Sequence, residues 1–457
     1  MTNNKFTLPI EYFPKMHIIL LHKNEEIPDI SNIKFILNTS NTANTDKFDI
    51  SLLEEQKKKS DEHNKLFAES LKNVTIALKT LSNNKEQHKD FFKYLIYDDF
   101  TKKRSGDREY DKIYNIDTIG VWTSAWKKIF EIIKFMKLID NDNDNDNHRN
   151  KLKHFDICSF PCSFIFGINH YIKTETDITT YDWYSQSYVD SEMSDNGRRK
   201  HFGYGKGLKE NYPNRFLLGA KESGCNGDIT DINNIKSYLE FFNKDKLDLI
   251  TSDCGISNSK EEGFDREKEM LNIYFSQLIC SLGILKKGGN IVMKTYSQFQ
   301  QFSFCNICLM TLLFEKVYLV KPEASSNYGH EVYMIGKNYY DNLSKGMYQQ
   351  LLDIVPLITS KDYNKTFISS KYFNKDKIKI LEKKISEYYS HVFNIRMISL
   401  NIFKNQIESL IKTPELIIPK IKELNTITWR PIKNHYEKYM KKLDLKKIDD
   451  EDKIVNW

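Results

Sequence analysis

Four charged residues stand where a folded chain can gather them into one reactive site. Asp253, Lys294 and Glu331 each lie at an end of a short apolar run that is typical of a strand, and Lys128 lies on a predicted helix ahead of them. A buried lysine has a lowered pKa, carboxylates can orient it, and a second lysine can stabilise developing negative charge. Such a set can activate a hydroxyl oxygen as a nucleophile. The sequence therefore predicts group transfer to a hydroxyl.

The elements that must position these residues alternate between strand and helix. Strands are predicted at 155–158, 247–252, 290–294 and 332–335, and helices at 267–285 and 302–314. This alternation predicts an α/β fold with a parallel, doubly wound sheet and helices on both faces. Ligands of such sheets bind at the carboxyl ends of the strands, which is where the charged residues stand.

The chain of 457 residues is long enough for a core with extensions. We predict an N-terminal extension over 1–119, a core domain over 120–340 and a basic, mostly helical region over 341–457. The last region holds 22 Lys and Arg against 15 Asp and Glu, which suits contact with a polyanion. A solvated helical surface explains the same surplus, and charge alone favours that interpretation.

Seven cysteines, scattered through apolar stretches, lack the spacing of a disulfide framework, so we expect a reducing, intracellular compartment. Cys305 and Cys308 form a Cys-x-x-Cys inside a predicted buried helix, without further zinc ligands at a suitable spacing. No metal site is expected. No apolar run approaches 18 residues, so no membrane contact is expected either.

Several ordered segments resemble one known family. They are Asn226-Gly-Asp-Ile-Thr230, Ser252-Asp-Cys-Gly-Ile256, Leu285-Lys-Lys-Gly-Gly-Asn-Ile-Val-Met-Lys-Thr-Tyr296 and Phe314-Glu-Lys-Val-Tyr-Leu-Val-Lys-Pro322. In order and spacing they resemble the FtsJ-like ribose 2′-O-methyltransferases, and most of all the cap-specific mRNA enzymes, including those of large cytoplasmic DNA viruses. The resemblance covers about residues 120–340. It implies a Rossmann-like sheet that binds S-adenosylmethionine.

The family's Lys-Asp-Lys-Glu tetrad falls on Lys128, Asp253, Lys294 and Glu331. The resemblance implies that Lys294 activates the ribose 2′-hydroxyl, that Asp253 steers it, and that the other two orient the ribose and the lysines. Lys127 beside Lys128 leaves the first assignment ambiguous by one residue, and the register of the family's helix favours Lys128. Taken singly, each residue is equally compatible with a solvated strand or helix end.

The cofactor site implied by the resemblance departs from the family pattern at one turn. Cys162 and Ser163 stand where glycines are expected after Pro161. Asp228 is the candidate for contact with the adenine, although a helix N-cap explains it too, and Trp183 either lines the pocket or belongs to the core. The predicted cofactor residues are Cys158, Ser159, Phe160, Pro161, Cys162, Trp183, Asp228, Ile229 and Asp253.

A basic and aromatic segment over 198–209 lies between these motifs. It lacks the Gly-Lys-Ser/Thr of a phosphate loop, and its composition suits contact with an RNA backbone and stacking on bases. A flexible solvated loop is an equally good interpretation. The predicted RNA contacts are Arg198, Arg199, Lys200, Lys206 and Lys209.

The expected reaction is methyl transfer from S-adenosylmethionine to the ribose 2′-oxygen of a cap-proximal nucleotide, with the capped 5′ end of mRNA as partner and capping or polyadenylation enzymes as further candidates. If the chain is viral, we expect it in the host cytoplasm, in a viral factory or a virion. Two alternatives stay open: methylation of another structured RNA, and a non-catalytic RNA-binding subunit of a capping or polyadenylation complex. The altered cofactor turn favours the subunit, and the intact tetrad opposes it.

Overall fold

The computed structural model describes most of the chain. The described residues are 15–38, 46–81, 112–116, 119, 122–139, 150–188, 208, 211–255, 265–326, 329–411 and 434–454. The predicted RNA contacts Arg198, Arg199, Lys200, Lys206 and Lys209 lie outside them.

A seven-stranded sheet forms the centre of the fold. Its strands are β1 (His17–Lys23), β2 (Lys151–Ile157), β3 (Thr180–Gln186), β4 (Leu247–Ser252), β5 (Leu285–Thr295), β6 (Phe314–Lys321) and β7 (Val332–Tyr339). They lie in the order β1-β6-β7-β5-β4-β2-β3. Strands β3, β2, β4 and β5 are mutually parallel, whereas β7 pairs antiparallel with both β5 and β6. The α/β, Rossmann-like class is confirmed, but the sheet is mixed instead of wholly parallel.

Helices cover both faces of the sheet. They are α1 (Ser51–Leu81), α2 (Ser124–Met136), α3 (Ser163–Glu175), α4 (Ile232–Phe241), α5 (Arg266–Glu269), α6 (Leu271–Ile284), α7 (Gln301–Leu313), α8 (Lys345–Ile354), α9 (Lys375–Ile411) and α10 (434–443). The single helix predicted over 267–285 is two helices, because Met270 ends α5. Two apolar clusters result, and the helices α2, α3 and α10 contribute to the second of them.

Helix α2 is placed by its N-cap and by close packing. The Thr123 hydroxyl accepts a hydrogen bond from the backbone N–H of Trp126 at 3.1 Å, which satisfies one free donor at the helix start. The absence of a side chain at Gly167 in α3 lets the two helices approach, since a Cβ there would stand 2.7 Å from Ile129. The helix that carries Lys128 is thereby fixed against the sheet.

Both extensions are built into this fold. Strand β1 pairs antiparallel with β6, and α1 packs along α9, where Gln56 donates hydrogen bonds to Ser386 at 3.1 Å and Ser390 at 2.8 Å. Helix α10 docks on α2, since Lys134 Nζ donates to the carbonyl of Leu443 at 2.8 Å. The division of the chain at 119/120 and 340/341 stays a prediction.

Candidate active site

Three adjacent strands bring three of the four tetrad residues to one edge of the sheet. Asp253 follows β4 directly, and Lys294 lies near the end of β5, the next strand. Because β7 runs antiparallel to β5, the start of β7 lies at the same edge, and there Glu331 precedes it. The sheet topology thus gathers residues that are far apart in sequence.

The tetrad side chains meet in two contacting pairs. Lys294 Nζ lies 3.2 Å from the Asp253 carboxylate and donates to the backbone carbonyl of the same residue at 2.7 Å. Lys128 Nζ forms an ion pair with Glu331. The Tyr333 hydroxyl donates to Asp253 at 2.8 Å. Tyr333 was not among the predicted residues, although its place two positions after Glu331 in a strand puts both on one face.

The charges of the cluster determine its protonation. Burial lowers the pKa of Lys294, but the charges of Asp253 and Glu331 outweigh it and raise that pKa above its ordinary value. Burial likewise opposes the ionisation of Glu331, yet Lys128 and Lys294 hold its pKa well below its usual range. Burial thus acts on this lysine in the expected direction, but the net shift of its pKa is upward because the carboxylate partners outweigh it.

The structure separates the two neighbouring lysines of α2. Lys128 points to Glu331, whereas the Lys127 ammonium lies over the Trp122 ring, 4.6 Å from its centroid. Both side chains are buried. The side chain that reaches the other tetrad residues is thus that of Lys128, the residue chosen from the register of the helix.

A network of hydrogen bonds holds Glu331 in place, and the sequence analysis did not predict it. Ser325 donates to the Glu331 carboxylate at 3.0 Å. The loop around Ser325 is held by Glu131, which accepts from the backbone N–H groups of Glu323 at 2.7 Å and Ala324 at 2.9 Å. Glu131 lies one helical turn after Lys128 on α2, so the same helix supplies the lysine and fixes its partner's loop.

Helix α10 adds two further contacts to this network. The Tyr439 hydroxyl donates to Glu131 at 2.6 Å, and Lys442 Nζ lies 2.8 Å from Glu323. Glu131 is fully buried, and burial raises its pKa to about 7. A segment with no recognisable motif thus supports the edge of the sheet that carries the tetrad, which we name the catalytic edge after its predicted role. Part of the excess of Lys and Arg in the C-terminal region thus serves to dock α10, as the ion pair of Lys442 with Glu323 shows.

The predicted cofactor turn connects β2 to α3 with two left-handed residues. Cys158 has φ 56° and Cys162 has φ 72°, a region that favours glycine. The turn is nevertheless well held by the end of β3, because the N–H of Cys158 donates to the Gln186 side chain at 3.0 Å and the N–H of Phe160 donates to the Ser187 hydroxyl at 2.8 Å. Cysteine at position 162 therefore keeps the backbone shape that a glycine would adopt easily.

Buried polar atoms without a good hydrogen bond lie at this turn. Asp156 Oδ1 accepts from the Thr251 hydroxyl at 2.6 Å. Asp156 Oδ2 and the Ser159 hydroxyl are buried near each other, and neither makes a hydrogen bond of good geometry within the described part of the chain. Burial raises the pKa of Asp156 to about 7. Unsatisfied buried polar atoms cost free energy, and a polar ligand at the turn would remove that cost.

Asp228 forms a turn of its own instead of capping a helix. It accepts from the N–H of Thr230 at 2.9 Å and from the Thr230 hydroxyl at 2.8 Å. The N-cap of α4 is Asp231. Gln186 donates from its side chain to the carbonyl of Gly227, so this glutamine joins the Asp228 turn to the turn at Cys158. No sequence motif marked Gln186.

Trp183, another predicted cofactor residue, lies in β3 three residues before its end. Its ring packs against Tyr212 and Phe216, with centroid distances of 5.6 and 6.0 Å, and beneath the guanidinium of Arg215 at 5.2 Å. Ile229 is buried beside the Asp228 turn. A cofactor role for these residues stays a prediction.

Cys158 and Cys254 form a disulfide with a Cα–Cα distance of 5.1 Å. The spacing of the cysteines does not indicate this bond, because the two residues are 96 positions apart and become neighbours only through the pairing of β2 with β4. The bond joins the predicted cofactor turn to the strand end that carries Asp253. The other five cysteines are free thiols.

Among the described residues, no group of three or more His, Cys, Asp or Glu side chains is arranged to hold a metal ion. Within the same part of the chain, no helix has the length and apolar character needed to cross a membrane.

The sheet and the tetrad at its edge lie in a region that matches a known protein family. The model of the FtsJ-like methyltransferases matches residues 123–339, from the N-cap of α2 to the end of β7. The chain carries an FtsJ-like methyltransferase domain. The predicted family is thereby confirmed.

The relatives of the methyltransferase domain include viral and animal proteins. An uncharacterized protein of Acanthamoeba polyphaga mimivirus is 30% identical over 303 residues, which cover 63% of this chain and 34% of that protein. A probable methyltransferase of African swine fever virus is 30% identical over 47% of this chain and 49% of its own length. A cap-specific mRNA (nucleoside-2′-O-)-methyltransferase 2 of Drosophila melanogaster is 26% identical over 48% of this chain and 30% of its own length. The chain thus spans half or less of the length of these relatives.

Proposed function

We propose that this protein transfers a methyl group from S-adenosylmethionine to a ribose 2′-oxygen of RNA, at a nucleotide next to the mRNA cap. The observation that carries the proposal is the meeting of Lys128, Asp253, Lys294 and Glu331 at one edge of an FtsJ-like methyltransferase sheet. Bound S-adenosylmethionine supplies an electrophilic methyl group on a positively charged sulfur. The residues of the chain must hold the cofactor, orient the ribose and remove one proton.

The turn at 158–162 fits the cofactor. Asp156 offers a buried carboxylate oxygen that makes no hydrogen bond of good geometry in the described chain, and Ser159 offers a buried hydroxyl in the same condition. A carboxylate of this kind suits the ammonium group of the cofactor's methionine part, because charge-assisted hydrogen bonds are the strongest polar contacts in a protein. Asp228 and Ile229 stay the candidates for the adenine.

The tetrad divides the work on the ribose. Lys294 Nζ holds the 2′-oxygen and receives its proton, and Asp253 and the Tyr333 hydroxyl fix the lysine at the strand end. The raised pKa of Lys294 means that its amine form, the form able to accept the proton, is a minor fraction near neutral pH. Lys128 and Glu331 form the neighbouring pair that keeps the lysine oriented.

The substrate is proposed from the relatives. The Drosophila melanogaster relative is named for methylation of capped mRNA, and the viral relatives come from mimivirus and African swine fever virus. We infer a capped 5′ end as substrate and the host cytoplasm as the place of action, with capping or polyadenylation enzymes as candidate partners. Another structured RNA as substrate, or RNA binding without catalysis, are the outcomes that would replace this proposal.

The test is methyl transfer from labelled cofactor to matched short RNAs. Capped and uncapped versions of one RNA are compared, and nuclease mapping locates the label. We expect label in the ribose of a cap-proximal nucleotide of the capped RNA alone. Equal labelling of uncapped RNA would replace the cap by another RNA feature. No labelling, together with RNA binding, would favour the non-catalytic subunit.

A further inference from the structure

A row of polar side chains crosses an apolar face of the sheet and ends at the cofactor turn. We name Tyr181, His154, Thr251 and Asp156 the polar row, and they lie on the neighbouring strands β3, β2 and β4. Side chains alternate along a strand, so His154 and Asp156 share a face with Leu152, which belongs to the apolar cluster of α2 and α3. His154, Thr251 and Asp156 are buried there. No predicted role includes the first three members of the row.

Three hydrogen bonds join the row from end to end. The Tyr181 hydroxyl lies 2.7 Å from His154 Nδ1, and His154 Nε2 lies 2.7 Å from Thr251 Oγ1. The Thr251 hydroxyl donates to Asp156 Oδ1 at 2.6 Å. Asp156 and Thr251 are paired in the ladder between β2 and β4, so the register of the sheet fixes the last bond.

The chemistry of the groups gives these bonds one direction. An ionised carboxylate only accepts hydrogen bonds, so the one hydroxyl hydrogen of Thr251 is committed to Asp156. His154 Nε2 must then donate to Thr251, and His154 Nδ1 accepts from the Tyr181 hydroxyl. Burial lowers the pKa of His154 to about 3, so its ring is neutral and offers the one donor and one acceptor that this direction requires.

The row separates the tasks of the two oxygens of Asp156. Oδ1 is held from inside the sheet by Thr251. Oδ2 lies near the Ser159 hydroxyl at the turn and makes no hydrogen bond of good geometry within the described residues. Buried polar groups cost stability unless they are paired, and a connected row of them specifies one arrangement. The arrangement specified here leaves one carboxylate oxygen for a ligand at the turn.

We propose that Tyr181, His154 and Thr251 are positioning residues for the cofactor, which orient the Asp156 carboxylate and favour its ionised form so that Oδ2 binds the ammonium group of S-adenosylmethionine. The inference rests on the proposed function, and it makes cofactor binding depend on pH through side chains inside the sheet. Neutral donors suit this task, because they stabilise the negative charge without neutralising it. The carboxylate thus keeps its charge for the ammonium.

The groups around Asp156 make its protonation the relevant one near neutral pH. Burial, and to a smaller extent the charge of Asp253, raise the pKa of Asp156 to about 7, whereas hydrogen bonds from Ser159 and Thr251 lower it. Burial moves the pKa of each remaining titratable neighbour away from 7 towards its neutral form, and these neighbours are His154, Cys162 and Tyr181.

The experiment compares Thr251→Val with a matched control, Thr311→Val. Thr311 is a buried threonine of α7 whose hydroxyl donates to the backbone carbonyl of Cys308 at 2.7 Å. Calorimetry with S-adenosylhomocysteine, which keeps the ammonium group, measures affinity between about pH 5.5 and 8.5. Wild-type affinity should fall as pH decreases through 7, because protonation of Asp156 removes the charge that pairs with the ammonium. The ligand's own amine titrates equally in every measurement.

Thr251→Val should lower this affinity roughly tenfold near pH 6, the effect of losing a hydrogen bond to a charged group. Without that bond the pKa of Asp156 is higher, so the midpoint of the affinity profile should move to higher pH. The loss should shrink as pH rises, since the carboxylate of the variant then ionises too. Tyr181→Phe should move the midpoint in the same direction by less, because it acts through two further hydrogen bonds. Thr251→Ser keeps the hydroxyl and should match the wild type, as should Thr311→Val.

The outcomes separate this role from the proposed reaction. A loss that is equal at every pH, an unchanged midpoint in Thr251→Val, or the same shift in Thr311→Val would overturn the role of the row even if the wild type methylates capped RNA. If the midpoint shifts as expected but the wild type methylates none of the RNAs, the reaction is wrong and the role in cofactor binding stands. If the wild type does not bind S-adenosylhomocysteine at any pH, both proposals fall. Thermal unfolding checks the fold of each variant, and should Thr251→Val not fold, the partly buried Tyr181 decides through Tyr181→Phe.

Discussion

The catalytic edge and the cofactor turn lie at the same edge of the sheet, the first at the ends of β4 and β5 and the second at the ends of β2 and β3, yet they are built differently. At the catalytic edge, Lys128, Lys294 and their carboxylates pair with one another, and a remote tyrosine, Tyr439, completes their support. At the cofactor turn, local contacts from the end of β3 hold the backbone, and Asp156 and Ser159 keep buried polar atoms without a hydrogen bond of good geometry in the described chain.

The difference teaches that the two regions are prepared for different tasks. A set of charges that satisfy one another is rigid before substrate arrives, and such preorganisation benefits the chemical step. Unsatisfied polar atoms cost stability until a ligand pairs with them, so they benefit binding. Substitutions at the catalytic edge should therefore reduce turnover, and substitutions at the turn should reduce cofactor affinity.

The largest expected effect is at Lys294. Lys294→Ala should reduce kcat by roughly 10²–10⁴-fold, the worth of a positioned acid–base group, while cofactor affinity stays near that of the wild type. Arginine should not rescue it, because a guanidinium cannot give up its proton at these pH values. Lys287→Ala, an exposed lysine of the same strand, is the control. Turnover assays and calorimetry give the two quantities, and an active Lys294→Ala enzyme would refute the role of this lysine.

The pH dependence of turnover tests the same lysine without a substitution. The pKa of Lys294 is raised, so the amine fraction below that pKa grows tenfold with each pH unit. The rate at saturating substrate should therefore rise from pH 6 to 9 with a logarithmic slope near one. A flat profile would mean that the ammonium form acts, by stabilising charge on the 2′-oxygen, and that the proton leaves by another path.

Glu131 should make the fold less stable as pH rises. Its pKa in the fold is about 7 against an ordinary value of 4.5, so the folded state holds an extra proton between these values. The resulting stabilisation is complete below pH 4.5 and is lost as pH rises through 7, by roughly 3 kcal/mol. Glu131→Gln should remove that part of the pH dependence in denaturant unfolding. Asp156 and Glu267 have raised pKa values too, so the difference between variant and wild type is the quantity to measure. A difference that does not change with pH would contradict the assignment.

The cofactor turn should respond to Asp156→Asn. The substitution keeps the acceptor for Thr251 and removes the charge, so it should weaken cofactor binding by about 1.5–3 kcal/mol, the range for hydrogen bonds to charged groups. RNA affinity should not change. The control is Asp248→Asn, which changes a buried carboxylate at the start of β4, the strand that carries Thr251. Calorimetry with S-adenosylhomocysteine measures both variants, and equal affinities would show that Asp156 has no part in cofactor binding.

The sequence predicts the tetrad residues better than it predicts the contacts that support them. Asp253, Lys294 and Glu331 were predictable because a strand end is visible in the pattern of apolar residues, and the family register selected Lys128. The contacts that support these residues were not predictable. Tyr439 reaches Glu131 through folding alone, in a segment without a motif.

The end of β3 and the helix starts show the same limit. Gln186 acts through contacts with two turns that the sequence separates widely. The sequence is compatible with Asp228 as a helix N-cap, but the N-cap is Asp231, because sequence patterns locate helix starts only to within a few residues. The mixed sheet escaped prediction too, since a strand's apolar run does not tell its direction.

The smallest expected effect is at Tyr439, the remote tyrosine that supports the catalytic edge. Tyr439→Phe removes the hydroxyl that donates to Glu131 at 2.6 Å but leaves the backbone donors of Glu323 and Ala324 in place. Glu131 thus keeps two partners, and the loss of one hydrogen bond should cost about 1 kcal/mol of the free energy of unfolding. Since these residues hold the loop that positions Glu331, kcat should fall a few-fold while cofactor affinity stays constant. Tyr436→Phe, one turn earlier on α10, controls for packing of that helix. A fall in cofactor affinity in Tyr439→Phe, with kcat unchanged, would mean that α10 supports the cofactor turn instead of the catalytic edge, and the contrast between the two regions would have to be reversed.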